Sequence, residues 1–530
     1  MPGTSGTIGR LTFKGDVGLD GGAAVLIDVG TGDSDRLVVK ATPTSAGYLQ
    51  LGGNGGVSLN LAAVGTGPRF GKVYTIATAD GGVSSTFSSV QGSFGVLTPA
   101  LTYNPKDITL TFVAGSLAAQ LPATATTTEL AFAKALDQLR TGSYSNLSNL
   151  YGAVDLMDSR SLGLTLRGLA PVGLGETMAL GREQNALITN LVTDRFSVLG
   201  SKAARGGTLT MLGSADGRPH TERFNGSLSG AIQSSFAPHL APSRVIDARL
   251  PESVSGFVSM GFASGRSSLT DAAPGQASGR RNWHYAMGLE TRLGDSTTIG
   301  SAVGYVEGES QVLGNRTDVR TSQAVVYGNR LVGARGYVAG LASLSYNRFG
   351  LLRSVSDSAS LQRLHGFTTA ISTELRAEAG LNFAVAGGLT LTPRAGLRVA
   401  DIRVGALREN GGELALRING LHDQRLEASA GVKLTGTLPL GGGWRFSPSL
   451  QADLVQRAAG SGGTVSVRFD AADALAFALP LGVQPARWIA AKGGVQLTNR
   501  GLTIAAGFET DAPRDGVRND SAFAAVSLAF

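Results

Sequence analysis

From about Ser253 to the last residue, the chain alternates apolar and polar side chains with a period of two, and its charges keep to one parity over long runs. Leu426, Ala428, Ala430, Val432 and Leu434 fall on one side of a run, with Glu427, Ser429, Gly431 and Lys433 on the other. Leu389, Leu391, Ala395, Leu397 and Val399 oppose Thr390, Thr392, Arg394, Gly396 and Arg398. Leu375, Ala377, Ala379, Leu381 and Phe383 oppose Glu374, Arg376, Glu378 and Asn382. A period of two is that of a β-strand, whose successive side chains leave opposite faces. A soluble sandwich alternates in the same way, so strand length has to decide. Many of the segments reach the ~10 residues a tilted strand needs to cross a bilayer, whereas strands of soluble proteins average about 5–6. Residues 253–530 hold about twelve such segments, which predicts an antiparallel transmembrane β-barrel.

The rest of the composition narrows the same choice. No run approaches eighteen apolar residues; the longest, Ala474 to Val483, contains Pro480, so a membrane-spanning helix is not expected. Without water, every backbone N–H and C=O must be paired, and a closed barrel is then the remaining way across. With 75 Gly, 16% charged residues and a mean hydropathy of +0.09, the chain is neither disordered nor collagenous. The lack of Cys removes disulfides, thiol catalysis and Cys-based zinc sites. The net charge of +7 is spread along the chain and fits a mildly basic surface better than a nucleic-acid footprint.

Barrel geometry assigns roles to particular side chains. Glu374, Arg376, Glu378, Arg394, Arg398, Glu427 and Lys433 are the polar candidates for the lumen, since lipid cannot hydrate a charge. Small residues on both faces leave room for an interior helix. Trp283, Tyr285, Tyr346, Phe349, Trp444, Phe446 and Trp488 lie near strand ends and suit an interfacial girdle. His284 and His422 are placed at strand beginnings, in a loop or the lumen.

Residues 1–115 have another texture. Short apolar runs, Arg10–Phe13, Ala24–Val29, Arg36–Val39 and Val57–Leu61, are separated by Gly, Asp and Asn turns, and recur at ~10–25 residues. This spacing favours a parallel β-solenoid over a small sandwich. Residues 116–252 read as a linker. Thr128–Leu139 sets Leu130, Ala133, Leu136 and Leu139 on one helical face, with a cap in Thr126–Thr128 and Gly142 beyond its end. Thr177 to Leu199 predicts a helix about 35 Å long. It carries Arg182, Glu183, Gln184, Asn185, Asp194 and Arg195, so it cannot face lipid. Either it lies inside a polar pore or it packs on the N-terminal region. Residues 200–252 are left as linker without elements.

The opening, Pro2-Gly-Thr-Ser-Gly-Thr-Ile-Gly-Arg-Leu-Thr-Phe, resembles the last passenger rungs of bacterial autotransporters, the type V secretion family. Its continuation is similar too: Ala24 to Val29, Asp35 to Val39, Tyr74 to Val83, Phe87 and Leu101 to Tyr103, with Leu136 to Leu139 resembling the linker before the barrel. The final strand, Asp520 to Phe530, puts Phe530, Leu528 and Val526 with Ala524 and Ala522 on one face. It resembles the C-terminal signal read by the outer-membrane barrel-assembly machinery, which pairs with an exposed strand edge. The resemblance spans nearly the whole chain. It implies a translocator that exports an N-terminal passenger and anchors it at the cell surface of a Gram-negative bacterium. Outer-membrane lipid, the assembly machinery and periplasmic chaperones are the implied partners, and a monomeric barrel is expected. In this family 1–115 would cap a β-helical passenger and assist its folding outside.

No enzymatic chemistry is expected in these residues, and no cofactor. His220, His239, His284, His365 and His422 show no metal-ligand spacing, and there is no GxSxG elbow, P-loop or dinucleotide fingerprint. Thr4-Ser5 has no partner motif for a serine nucleophile. Some autotransporters cut their own linker at an Asn-Asn bond; 116–252 contains no such pair, so that reaction is not carried over. Met1-Pro-Gly-Thr-Ser-Gly does not read as an export leader, and any passenger activity is expected upstream. Two alternatives remain: a surface adhesin that displays 1–115 itself, and a porin-like channel whose helix is a plug.

Overall fold

A computed structural model of the chain describes residues 6–52, 55–199, 208–213, 244–249, 254–269, 276–312, 314–356, 361–460, 464–472, 475–480, 486–513 and 518–529. The N-terminal part is a three-sided parallel coil. Strands Arg10–Lys14, Arg36–Lys40 and Tyr74–Ala79 stack in parallel on one side. Val17–Leu19, Tyr48–Leu51 and Gly82–Ser84 form the second side, and Ala24–Val29, Ser58–Ala63 and Ser89–Gln91 the third. The chain visits the three sides in order three times, so each rung buries its apolar residues against the next. Leu49, Leu59 and Val39 are fully buried in that interior beside Ile27, Ile76 and Phe112. A fully buried side chain of this size contributes about 1.5–3 kcal/mol. At one corner Gly47 has a φ of +79°, and a Cβ there would stand 2.7 Å from the Ala41 nitrogen, so only glycine fits. The hairpin of Leu97–Tyr103 and Asp107–Ala114 closes the coil, pairing antiparallel with Tyr74–Ala79.

A helical unit follows. Thr126 and Glu129 form a reciprocal cap on helix Thr127–Ser143, the arrangement in which each side chain satisfies an orphan N–H of the other. The helix is longer than the 128–139 face predicts. Two further helices, Ser148–Val154 and Ser159–Gly168, have no counterpart in the sequence reading. Asp158 caps the second by accepting from the Arg160 and Ser161 N–H groups, each at 2.9 Å. Tyr151 is buried, which pushes its hydroxyl well above the ordinary tyrosine range. It therefore stays protonated and donates to the Leu136 carbonyl at 2.5 Å. Arg140 and Asp155 make a buried bidentate pair, both bonds at 2.7 Å.

The C-terminal part is a closed, antiparallel barrel of twelve long strands. They are β1 Val254–Leu269, β2 Gln276–Leu293, β3 Thr297–Val312, β4 Asn315–Val332, β5 Gly336–Ser356 and β6 Leu361–Leu381. β7 Leu389–Val404, β8 Leu421–Gly436, β9 Arg445–Ala459, β10 Arg487–Asn499, β11 Leu502–Pro513 and β12 Asn519–Ala529 complete the ring. Neighbours in sequence pair all the way round, and β12 closes on β1 from Phe257 opposite Ala529 to Ser267 opposite Asn519. No edge is left to template aggregation. The outer parity is apolar and bare: Val338, Leu344, Leu375, Leu454, Val526 and Leu528 are all exposed, Leu375 by 58%. A soluble monomer does not display a belt of this kind. Phe530 lies outside the described residues.

The two ends of the barrel differ. One has short turns, such as 294–296 and 333–335; the other carries the long connections 405–420 and 460–486. These long connections build a small sheet of Leu407–Asn410, Leu416–Ile418, Thr464–Phe469 and Phe477–Pro480, paired in that order. The helical unit lies on it. A second hairpin, Thr208–Gly213 with Arg244–Arg249, stands where the sequence reading left 200–252 without elements. Six-residue strands are too short for period-two alternation to stand out from chance.

Candidate functional site

The lumen is occupied by the helix Val172–Leu199, the pore alternative of the sequence reading. It begins five residues before Thr177. Gly173 and Gly175 weaken the helical signal there, since glycine costs about 1 kcal/mol in a helix. Among the described residues no helix is long and apolar enough to cross a membrane. This one resides there because the barrel supplies it with polar partners.

One side of the helix is apolar. Ile188 and Val192 are fully buried against Phe257, Ala286, Ala302, Val306 and Val325 on β1–β4. The fit depends on glycine. A Cβ on Gly304 would meet Ile188 at 2.7 Å, and one on Gly308 would meet the Gln184 amide at 2.3 Å. On the helix itself, Gly181 faces the Phe349 ring, 3.1 Å from where its Cβ would be. Phe349 therefore points into the lumen, correcting its placement in an interfacial girdle. Trp488 shares the parity of lumen-facing Lys492 and is corrected in the same way. Trp488 is second in β10 and Phe349 lies well inside β5; parity, not position along the strand, decides the face. Tyr346 and Trp283 do stand exposed on the outer face.

The other side of the helix is polar, and the wall pairs with many of its groups, although the buried Asn185 Oδ1 has no partner there. Asp423 on β8 accepts from Arg182 at 3.0 Å. Glu183 accepts from Arg280 at 2.9 Å and Asn282 at 2.8 Å. Gln184, with no exposure, donates to Asn282 at 3.1 Å and accepts from the Thr321 hydroxyl at 2.6 Å. Arg376 reaches Asn190 Oδ1 at 2.9 Å, and Lys492 reaches Asp194 at 2.6 Å. Hydrogen bonds to charged groups each contribute about 1.5–3 kcal/mol, so the helix is held by specific pairs along its length.

The seven polar candidates are gathered on the wall opposite the apolar seam. Glu374 is clasped on both oxygens, by Arg376 at 2.8 Å and Arg398 at 2.8 Å. Arg398 continues to Glu427 at 3.2 Å. Arg394 joins Glu378 at 2.9 Å to Asp453 at 2.5 Å. Lys433 stands 4.0 Å from Asp194, which Lys492 also holds. Each of these carboxylates has a cation partner, so the network forms a charge-paired polar bed. Among the described residues no three His, Asp or Glu gather as a metal site. Sequence reasoning missed Arg280, Asn282, Asp453 and Lys492, although each lies on the lumen parity of its strand. His284 is corrected: it sits mid-strand in β2 and is buried. His422, second in β8, is exposed and contacts Asp401 at 2.5 Å.

The family model of the autotransporter beta-domain matches residues 257–509, a little under half of the chain. The barrel is an autotransporter beta-domain. No curated protein sequence matches the chain. Among solved structures, the translocator domain of the autotransporter NalP from Neisseria meningitidis is 17% identical, with a TM-score of 0.41 over 57% of this chain and 93% of that one. The beta domain of the Bordetella autotransporter BrkA is 14% identical, with a TM-score of 0.36 over 52% and 99%. The Pseudomonas putida toluene transporter TodX is 10% identical, with a TM-score of 0.32 over 53% and 90%. At these scores the likenesses carry no weight; the assignment rests on the family match together with the closed barrel. The autotransporter domain is an outer-membrane translocator.

Proposed function

We propose that this chain exports an N-terminal passenger through the outer membrane and holds it at the cell surface. The path of the backbone carries the reading. The coil and the helical unit stand at the long-loop end, and the helix Val172–Leu199 runs down the lumen. β1 then enters the wall at the short-turn end, where Val254 lies opposite Thr291. A chain fixed on both sides of a closed ring has passed through it. The long-loop end faces the cell exterior, and the short turns face the periplasm. The parallel coil is the end of the passenger; its folding outside supplies the drive for export, because each rung buries side chains that were solvated inside. The chain does this without catalytic chemistry of its own. The strand β12 is the part that the barrel-assembly machinery recognises, and periplasmic chaperones hold the chain beforehand.

The test is an epitope fused ahead of residue 6 behind an export leader. Externally added protease is expected to remove it from intact cells while the barrel stays heat-modifiable on a gel. An epitope that remains protected until the outer membrane is opened contradicts the reading.

A further inference from the structure

The helical unit 117–170 does more than join the coil to the pore, and the barrel is built to receive it. Its core is continuous with the sheet formed by the long connections: Phe132 packs edge-on against Phe469, with centroids 6.0 Å apart, and Phe477, at 5.0 Å. Polar contacts flank this seam. Asn146 donates to the Ala471 carbonyl at 2.9 Å, and Asn149 donates to Glu413 at 3.3 Å.

The centre of the interface is Arg353, near the loop end of β5. It is 4% exposed, and its guanidinium grips Glu409, itself 2% exposed, at 2.9 and 2.5 Å. Two further donors reach carbonyls, both at 2.8 Å: Leu414, in the turn before Leu416–Ile418, and Leu169, just past the end of helix Ser159–Gly168. The second bond is the telling one. Each donor of a buried cation that loses its partner carries a desolvation cost, and one of these acceptors is in place only when the helical unit is seated. The cation also complements the negative end of that helix. On its far side the unit holds the coil, where the Val96 N–H donates to the Asp155 carbonyl at 2.9 Å. Phe70 lies 5.5 Å from Tyr144.

We infer that the loop-end sheet of the barrel is a docking platform on which the helices of 117–170 fold as they emerge, with Arg353–Glu409 as its latch. The inference rests on the export reading above. The first folded unit outside is thereby part-made by the barrel, and it closes the mouth over the lumen helix. The coil then grows from a fixed base.

Limited trypsin digestion of intact cells tests this. Arg140 and Arg167 are cleavage points inside the unit, Arg140 only 6% exposed. In R353A cleavage there is expected to rise on the order of a hundredfold, the ratio that breaking a buried ion pair implies, while barrel heat-modifiability is retained. F132A alters the helical side alone and is expected to give the same phenotype, so a folding defect confined to the barrel cannot produce both. Cleavage rates unchanged in both variants overturn the platform. If the unit is beyond the reach of trypsin even in R353A while an upstream epitope is also protected, it is the export reading that fails instead.

Discussion

The coil and the barrel are both β-structures, yet they are inside out relative to each other. In the coil, Leu49, Leu59 and Ile76 point inward and are removed from water, while polar groups face out. In the barrel, Leu375, Leu397 and Val432 point outward and are exposed, while Glu374, Arg398 and Glu427 point in. The difference follows from the solvent. Water penalises the apolar face of the coil, and lipid penalises any unpaired charge on the outside of the barrel. The same alternation of side chains thus folds in opposite senses according to what lies against it.

One substitution in each region separates the effect of water from that of lipid. Leu59→Asp puts an unpaired carboxylate into the dry coil and is expected to cost at least about 4 kcal/mol. The coil becomes protease-sensitive while heat-modifiability of the barrel persists; loss of both would show that the two regions do not fold separately. Leu375→Arg on the lipid face is expected to cost about 2–4 kcal/mol if the site lies near the bilayer midplane, read as a lower denaturant midpoint in vesicles. No change there would mean that the residue faces water.

Smaller effects probe the lumen and the coil corners. Gly304→Val drives a side chain into Ile188, and overpacking of this kind costs about 1–3 kcal/mol. Planar-bilayer conductance is expected to rise as the helix shifts, and Ile188→Ala in the same chain to restore the closed level. The smallest effect is one of pH. The Ser45 hydroxyl and the Tyr48 and Gly47 N–H groups hold the Asp16 carboxyl below its ordinary value of 3.8. The Ala41 N–H and then Lys40 do the same for Asp80. A depressed carboxylate stabilises the fold above the ordinary value and loses that contribution as the pH falls through its folded value. Resistance of the coil to pepsin should therefore weaken below about pH 4 and weaken less in the Asp16→Asn, Asp80→Asn double variant.

How much of this the sequence disclosed depended on the length of each repeat. Strands such as Leu361–Leu381 carry ten or more alternations, and with Glu374, Arg376 and Glu378 on a single parity the faces were readable from the residues alone. The lumen helix was legible because Arg182, Glu183 and Asp194 forbid lipid over a membrane-spanning length. The helices Ser148–Val154 and Ser159–Gly168 were not legible, because seven and ten residues interrupted by Ser and Gly give no lasting 3.6-residue period. Arg353 and Glu409 were illegible for another reason: their partnership joins distant segments, and only the closed ring brings the two together. Trp488, second in β10, shows that an aromatic near a strand end is not thereby interfacial.

A ring that spans a bilayer presents one parity of side chains to lipid along every strand. Because the chain has no cysteine, single cysteines can be placed one by one from Ala370 to Ala377 in β6 and labelled with a fluorophore in proteoliposomes. Lipid-borne nitroxide is expected to quench labels at 371, 373, 375 and 377 and to spare those at 370, 372, 374 and 376. Quenching that does not alternate, or a labelled protein that stays in the aqueous phase, would contradict it.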